Sequence, residues 1–125
     1  NTLSSDKLFN KQAEVIQVIA DKDDCIIVGR CAGYILRDEP KCVRIYISAD
    51  KDFRTKRIMA SDHLDEKEAQ KKIHSMDKKR DSYFGYYAGQ DWKACHTYDL
   101  SISTSALGID KAVDLICQYI DIKFK

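Results

Sequence analysis

The chain has 125 residues, of which 44% are hydrophobic and 33% are charged, a balance typical of one globular domain with a core of its own. Its 21 Lys and Arg residues are offset by 20 Asp and Glu residues, so a net charge of +1 argues against a nucleic-acid partner and against a charged membrane surface. No apolar run is long enough to span a bilayer, and no charged segment followed by an apolar core opens the sequence. The 5 cysteines include no C-x-x-C pair, which predicts reduced thiols and a cytoplasmic protein.

The first predicted element is an amphipathic helix that begins at Ser5 or Asp6 and ends at about Asp21. The continuous apolar run Cys25–Val28 then predicts a strand that is buried on both faces. Arg30 follows the carboxyl end of this strand, where open α/β sheets bind ligands. It is therefore a candidate anion-binding residue; the alternative is a plain strand-to-helix turn with a surface arginine.

The later elements alternate between helix and strand, which predicts an α/β fold with a parallel sheet flanked by helices. Residues 1–125 are expected to form a single domain. Because three strands make a thin sheet, one or two further strands are expected before the first, and an exposed sheet edge is expected to be covered by a homodimer contact or by N-terminal residues. The remaining predicted strands are Cys42–Ser48 and Tyr98–Ser103, and the remaining predicted helices are Ala32–Arg37, Asp50–Ala60, a helix from Asp65 past Tyr83, and a helix after Gly108.

Arginines cluster after the second predicted strand. Arg54 and Arg57 are spaced i, i+3 on one helix, and Asp77 and Arg80 have the same spacing on the next. Two helices that present arginines from either side of a turn could close on a nucleotide phosphate chain, because the planar guanidinium group binds phosphate oxygens in pairs. The alternative is a solvated helix pair with mixed charges. A nucleic-acid-binding stripe over residues 71–80 is disfavoured by its interspersed acids.

Three tyrosines follow Arg80 closely, namely Tyr83, Tyr86 and Tyr87. Their rings could stack on a base or a ribose, although aromatic residues at helical spacing are more often part of a core. The 3 histidines have no spaced partners of the kind that bind metals, so no metal site is predicted.

Five segments, in the right order along the chain, resemble the cytidylate kinase-like proteins, a bacterial branch of the nucleoside monophosphate kinases. Together they cover nearly the whole sequence. The segments are the strand-Gly-Arg-helix stretch Cys25–Leu36, the strand Arg44–Ala49, the R-x-x-R-[IV] segment Arg54–Ile58, the D-x-x-R…Y-Y segment Asp77–Tyr87, and the last strand and helix, Tyr98–Thr104 and Gly108–Val113.

This resemblance implies a P-loop kinase fold whose first strand or strands are absent, and transfer of the ATP γ-phosphoryl group to CMP or dCMP with Mg²⁺. A lid-like helical segment would occupy about residues 50–90. The resemblance also implies a role for each matching residue. Arg30 would bind the phosphate of the acceptor nucleotide, Tyr83 would bind the acceptor, and Asp77 would contact the acceptor or orient Arg80. Three arginines would neutralise charge in the lid, namely Arg54, Arg57 and Arg80, and Thr104 would lie near the ATP base.

Two departures from the family pattern stand out. The phosphate-binding motif G-x-x-x-x-G-K-[ST] does not occur in these residues, so the isolated chain is expected to have no appreciable kinase activity. Cys31 occupies the position after Gly-Arg where true cytidylate kinases tend to carry an acid. The alternative function is a non-catalytic nucleotide-binding or regulatory module of the same fold.

Overall fold

The structure is a computed structural model, and it describes the backbone of residues 2–125 and the side chains from Ser4 onward. The first helix begins at Thr2, earlier than the predicted start at Ser5 or Asp6. The elements in chain order are α1 (Thr2–Lys22), α2 (Ala32–Ile35), β1 (Ile45–Ser48), α3 (Lys51–Asp62), α4 (Glu66–Ala88), a 3₁₀ turn (Cys95–Thr97), β2 (Leu100–Ser103), α5 (Thr104–Leu107) and α6 (Ile109–Phe124).

The two strands pair in parallel, with Ile45 opposite Leu100 and Ser48 opposite Ser103. Arg44 and Asp99 close the beginning of this ladder. The Arg44 backbone N–H donates to the Asp99 carboxylate at 2.7 Å, and the Arg44 guanidinium donates to the same carboxylate at 3.4 Å. The Asp99 backbone N–H in turn donates to the Arg44 carbonyl at 2.8 Å. A helix-rich α/β fold with a small parallel sheet is thus confirmed.

The predicted strand at Cys25–Val28 is wrong. Ile26 is 95% exposed and Val28 is 89% exposed, and Ile27 between them is only half-buried, so the run is not buried on both faces. Within residues 2–125, no backbone hydrogen bond joins residues 24–28 to another segment. An apolar run becomes a buried strand only where a neighbouring strand accepts its backbone bonds and other elements cover its faces. Among the described residues the sheet therefore has two strands.

A tight reversal follows this run. Gly29, Arg30 and Cys31 have φ angles of 71°, 58° and 57° in succession, which is left-handed backbone that favours glycine. The reversal leads directly into α2. There an added Cβ on Gly33 would lie 3.0 Å from the side chain of Arg44, the residue before β1, so a larger residue would require that flexible side chain to shift.

The helices α3 and α4 form a helical hairpin, and the first residue of each helix was predicted correctly to within one position. Asp50 caps α3 by accepting from the Phe53 N–H at 2.8 Å, and Asp65 caps α4 by accepting from the Glu68 N–H at 2.8 Å. Such caps satisfy backbone donors that have no partner inside the helix. The Lys72 ammonium also binds the Asp62 carboxylate, which ties the beginning of α4 to the end of α3.

The rest of the core is small. Ile102 on β2 and Ala112 on α6 are buried, whereas the apolar residues Val113 and Ile120 of α6 are exposed, so only part of the apolar surface of this helix faces the core. On the other face of the sheet Tyr46 packs against Trp92 and Tyr98 with ring centroids 5.5 Å and 5.0 Å away. This aromatic packing orders the irregular segment between α4 and β2, where the Tyr98 hydroxyl donates to the Trp92 carbonyl at 2.5 Å.

We expect the Asp99 carboxylate to make the free energy of unfolding depend on pH in the acidic range. Desolvation, the largest single influence, raises the pKa of Asp99, but the backbone bond, side-chain bond and charge of Arg44 together outweigh it and hold the pKa below its usual value. A carboxyl whose pKa is lowered by folding stabilises the protein above its unfolded pKa of about 3.9, and this contribution is lost as pH falls through the folded value. Urea unfolding at pH values between about 6 and 3 should show a steeper loss for the wild type than for Asp99→Asn.

The matched control for this measurement is Asp114→Asn. Asp114 is an exposed α6 carboxylate without an ion-pair partner among residues 4–125. Its replacement should leave the pH dependence of the wild type unchanged. Parallel curves for Asp99→Asn and the wild type would contradict the prediction.

Candidate nucleotide site between α1 and α4

The first half of α1 packs against the last two turns of α4 through aromatic rings. Phe9 stacks on Tyr87 with ring centroids 4.0 Å apart and an interplanar angle of 9°. Phe9 also meets the edge of Tyr83 at 6.2 Å, and Tyr83 lies 4.8 Å from Tyr87. Tyr83 and Tyr87 are spaced i, i+4, so both rings project from one face of α4 toward α1. The Tyr83 hydroxyl completes the contact by donating to Gln12 Oε1 at 3.4 Å.

Arg30 joins this cluster from the reversal before α2. Its guanidinium carbon lies 6.0 Å from the centre of the Tyr83 ring, within the range of a cation–π interaction. Arg30 and Tyr83, two of the predicted site residues, are therefore brought to one place. They line a hollow of about 160 Å³ whose remaining walls are Ser5, Leu8, Phe9, Gln12 and Tyr87.

A second and larger hollow of about 750 Å³ continues along α4 from the first. Ser5, Tyr83 and Tyr87 line both hollows, so we treat them as one feature, the α1–α4 groove. Asp6, Ser75, Lys78, Lys79, Ser82 and Tyr86 complete the walls of the larger hollow. The groove thus combines aromatic faces with positive charge from three basic residues, which suits a flat and anionic ligand.

The predicted lid residues are only partly brought together. Arg54 on α3 donates to Asp77 on α4 at 2.6 Å, so this carboxylate pairs with Arg54 rather than with Arg80. Arg57 and Arg80 are both exposed, and in the described part of the chain neither forms an ion pair. Within the described residues, the charges of Arg57 and Arg80 are therefore not neutralised by a carboxylate, whereas Arg54 is held in place by Asp77.

Thr104 lies apart from the groove, at the carboxyl end of β2. It is buried, and its hydroxyl donates to the Ser48 carbonyl at 3.1 Å, which joins the ends of the two strands. This contact gives Thr104 a structural role at the sheet. Its predicted place near an ATP base stays a prediction.

Cys31 has a buried thiol beside Arg30. Burial raises the pKa of this thiol to about 11, so it is protonated and neutral near neutral pH. The position at which true cytidylate kinases tend to carry an acid therefore supplies no negative charge in this protein.

The described residues do not by themselves fit ATP phosphates with Mg²⁺. Residues 2–125 contain no group of three or more His, Cys, Asp or Glu side chains that could hold a metal ion. The sequence also has no G-x-x-x-x-G-K-[ST] loop, whose backbone N–H groups would surround the phosphates.

Sequence reasoning missed the contribution of α1 to the groove. The sequence predicts an amphipathic helix that begins at Ser5 or Asp6 and includes Phe9, with no link to the tyrosines of α4. Helical spacing relates residues within one helix only, and no pattern in the sequence connects α1 with α4. The unusual density of tyrosines after Arg80 was the one local signal for this place.

The sequence profile of the cytidylate kinase-like family matches residues 1–106. The chain belongs to this family.

Individual relatives agree with this assignment. The cytidylate kinase of Sulfolobus acidocaldarius is 31% identical over 103 residues, which are 82% of this chain and 56% of that protein. The cytidylate kinase of Desulfurococcus amylolyticus is 29% identical over 108 residues, with 85% and 57% of the two chains covered. That of Pyrobaculum neutrophilum is 30% identical over 110 residues, with 84% and 59% covered.

A solved structure shares the fold. It is the crystal structure of an uncharacterised protein from Eubacterium ventriosum, with a TM-score of 0.86 and 37% sequence identity, and the match covers 90% of this chain and 64% of that one. The chain spans less than two thirds of the length of each of these relatives. Among residues 2–125, no helix combines the length and the apolar character that crossing a membrane requires.

Proposed function

We propose that this chain is the acceptor-binding and lid part of a nucleoside monophosphate kinase with a P-loop kinase fold, which transfers the γ-phosphoryl group of ATP to CMP or dCMP. Membership of the cytidylate kinase-like family supports a kinase-like role. The observation that carries the proposal is the groove in which Arg30 lies beside Tyr83, next to a helix hairpin with two unpaired arginines.

The acceptor nucleotide would bind in the α1–α4 groove. Arg30 offers a planar fork of N–H donors to the oxygens of its phosphate, and the cluster of Phe9, Tyr83 and Tyr87 forms an apolar wall beside it. A phosphate held beside such a wall is partly shielded from water, which strengthens its attraction to the guanidinium.

The lid would be the segment of about residues 50–90, which contains α3 and α4. Phosphoryl transfer depends mainly on positively charged groups close to the equatorial oxygens of the transferring phosphoryl group, and little on covalent catalysis by the protein. Arg54, Arg57 and Arg80 supply that charge in the proposal. Asp77 has a positioning role, because its 2.6 Å bond fixes the Arg54 guanidinium between the two helices.

ATP would supply the transferred phosphoryl group, and Mg²⁺ would neutralise charge on its phosphates when bound. The alternative function, a non-catalytic nucleotide-binding or regulatory module of the same fold, is favoured by one observation, the neutral Cys31 thiol at the position where true cytidylate kinases tend to carry an acid. The kinase and a nucleotide-binding module both require that the groove bind a nucleoside monophosphate.

Calorimetric titration of the chain with CMP tests this shared requirement. We expect Arg30→Gln to weaken CMP binding by about tenfold or more, because it removes a charged hydrogen-bond donor from the phosphate. Glutamine keeps a polar side chain at this left-handed position. Binding of cytidine, which has no phosphate, should be unaffected by the same substitution.

The matched control is Arg37→Gln. Arg37 follows α2 and packs over the Tyr34 ring at 4.1 Å, outside the groove. Equal CMP affinity in Arg30→Gln and the wild type, or an equal loss in both variants, would refute the role of Arg30.

A further inference from the structure

The last helix, α6, is the most apolar of the long helices, yet most of its apolar side chains are exposed. Within α6, all of which the structure describes, Ala112 alone is buried. The large apolar residues that it exposes are Ile109, Val113, Leu115, Ile120, Ile122 and Phe124. A helix with apolar residues on nearly all sides is normally buried. The composition of α6 therefore favours contact with a partner.

The surface area of the whole chain also favours a partner. Its accessible surface is 9307 Å². A folded monomer of this mass is expected to expose about 6,800 Å², so the chain exposes about 2,500 Å² more than that. A stable protein–protein interface takes about 800 Å² from each partner. The excess is thus large enough to supply one.

One set of apolar residues on α6 forms a stripe whose spacing is the same in both directions along the helix. The α6 stripe consists of Ile109, Val113, Ile116, Cys117, Ile120 and Phe124. Ile116 is half-buried and the other five are exposed. At about 100° per residue, these six side chains fall on an arc of about 100° on one side of the helix.

This spacing makes the α6 stripe complementary to itself. In a two-fold interface, residue i contacts residue j of the other copy and residue j contacts residue i. If two copies of α6 lie antiparallel, Ile109 meets Phe124 and Val113 meets Ile120. The central position of the stripe then lies at the two-fold axis. A second copy of this chain therefore fits the stripe along its whole length.

Charge favours the same antiparallel direction. Asp110 lies in the first turn of α6 and Lys123 lies in its last turn. Antiparallel helices place these oppositely charged ends side by side, and they also place the opposite ends of the two helix dipoles together. Asp114 and Asp121 lie about a quarter turn or more from the centre of the stripe, at a rim where water screens their charges.

We propose that two copies of this chain associate through the α6 stripe, with the two helices antiparallel across a two-fold axis near Ile116 and Cys117. The proposed interface shares no residue with the α1–α4 groove, so it is independent of nucleotide binding.

Cross-linking of Cys117 tests the interface and its register together. Helices that pack along such a stripe have axes about 8–10 Å apart, so the two Cys117 thiols at the two-fold axis come within reach of a short bismaleimide. We expect this reagent to give a product of twice the mass of one chain, in which peptide mass spectrometry finds Cys117 joined to Cys117. Cys117→Ser should abolish this product. Cys25→Ser and Cys95→Ser remove other exposed cysteines and should preserve it.

Sedimentation equilibrium of Val113→Glu tests the contribution of the stripe. We expect the substitution to weaken dimerisation by about tenfold or more, because it places a carboxylate in an apolar interface. Leu115→Glu is the matched control. Val113 is 52% exposed and Leu115 is 39% exposed, so both variants are expected to fold, but Leu115 lies about 200° around the helix from Val113 and outside the stripe. Its replacement should leave dimerisation unchanged.

Each contrary result overturns a stated part of the proposal. A wild-type chain that stays monomeric at every concentration would overturn it completely and leave the face of α6 to a different protein segment. A dimer that gives no cross-link between two Cys117 residues would overturn the antiparallel register. Equal weakening by Val113→Glu and Leu115→Glu would overturn the role of the stripe.

Discussion

Replacement of Ile102 by alanine is expected to lower the free energy of unfolding by about 2–5 kcal/mol, the usual range for truncation of a buried isoleucine. Ile102 is 4% exposed and lies in the middle of β2, where it forms part of a small core. Truncation removes apolar contacts and leaves a cavity that a two-stranded sheet cannot readily close. Urea unfolding followed by Trp92 fluorescence and by circular dichroism would measure the loss.

Ile47→Ala is the matched control. Ile47 is the register partner of Ile102 on the neighbouring strand, but it is 58% exposed. Its truncation should cost about 1 kcal/mol or less, because most of its surface is already in water. Equal losses in the two variants would mean that Ile102 is not the more buried partner.

Substitution of Ala69 by glutamate is expected to cost about 3 kcal/mol or more, because burial of a carboxyl without a partner carries a large desolvation penalty. Ala69 lies one turn after the start of α4, in the α3–α4 hairpin, and is completely buried. The longer side chain would also force the packed elements apart. A loss of this size approaches the whole stability of a small domain, so the cooperative thermal transition should shift far down or vanish.

The control for this experiment is Ala60→Glu. Ala60 is an exposed alanine on α3, so the same chemical change there places the carboxylate in water. Its melting temperature should stay close to that of the wild type. A comparable decrease in both variants would show that the effect comes from charge or helix propensity and not from burial.

The sequence predicted the helix starts well because the responsible chemistry is local. Asp50 and Asp65 were predicted to open helices, and each accepts from the backbone N–H three residues later. The two strands β1 and β2 were also predicted, although the structure makes both shorter than Cys42–Ser48 and Tyr98–Ser103. Strand ends depend on the partner strand, which no local pattern specifies.

Burial was predicted less well because it depends on other parts of the chain. The apolar character of Cys25–Val28 is real, yet Ile26 and Val28 are exposed because no described element covers them. The same reason leaves Val113 exposed within an apolar stripe of α6. Hydrophobic periodicity indicates which face can be buried, whereas the fold decides which face is buried.

The candidate site was likewise predicted only in part, because some of its residues come together only through the fold. Arg30 and Tyr83 were singled out from the sequence, and the structure places them in one hollow. Asp6 and Phe9 were not linked to them, because α1 and α4 are far apart in sequence and meet only through the fold. The pairing of Asp77 with Arg54 was likewise not predicted, because the resemblance implied contact of Asp77 with the acceptor or orientation of Arg80.

The hydrogen bonds and ion pair between Arg44 and Asp99 join two segments that are distant in sequence. These residues are 55 positions apart, and the intervening chain contains the whole α3–α4 hairpin. The entropy lost on closing a loop rises only with the logarithm of its length, but it is lost before the strands gain their contacts. A hairpin that forms first, through its own caps and ion pairs, brings the two ends of this loop closer together. We therefore expect the sheet to form after the hairpin and more slowly, at a rate that depends on how early the helices pair.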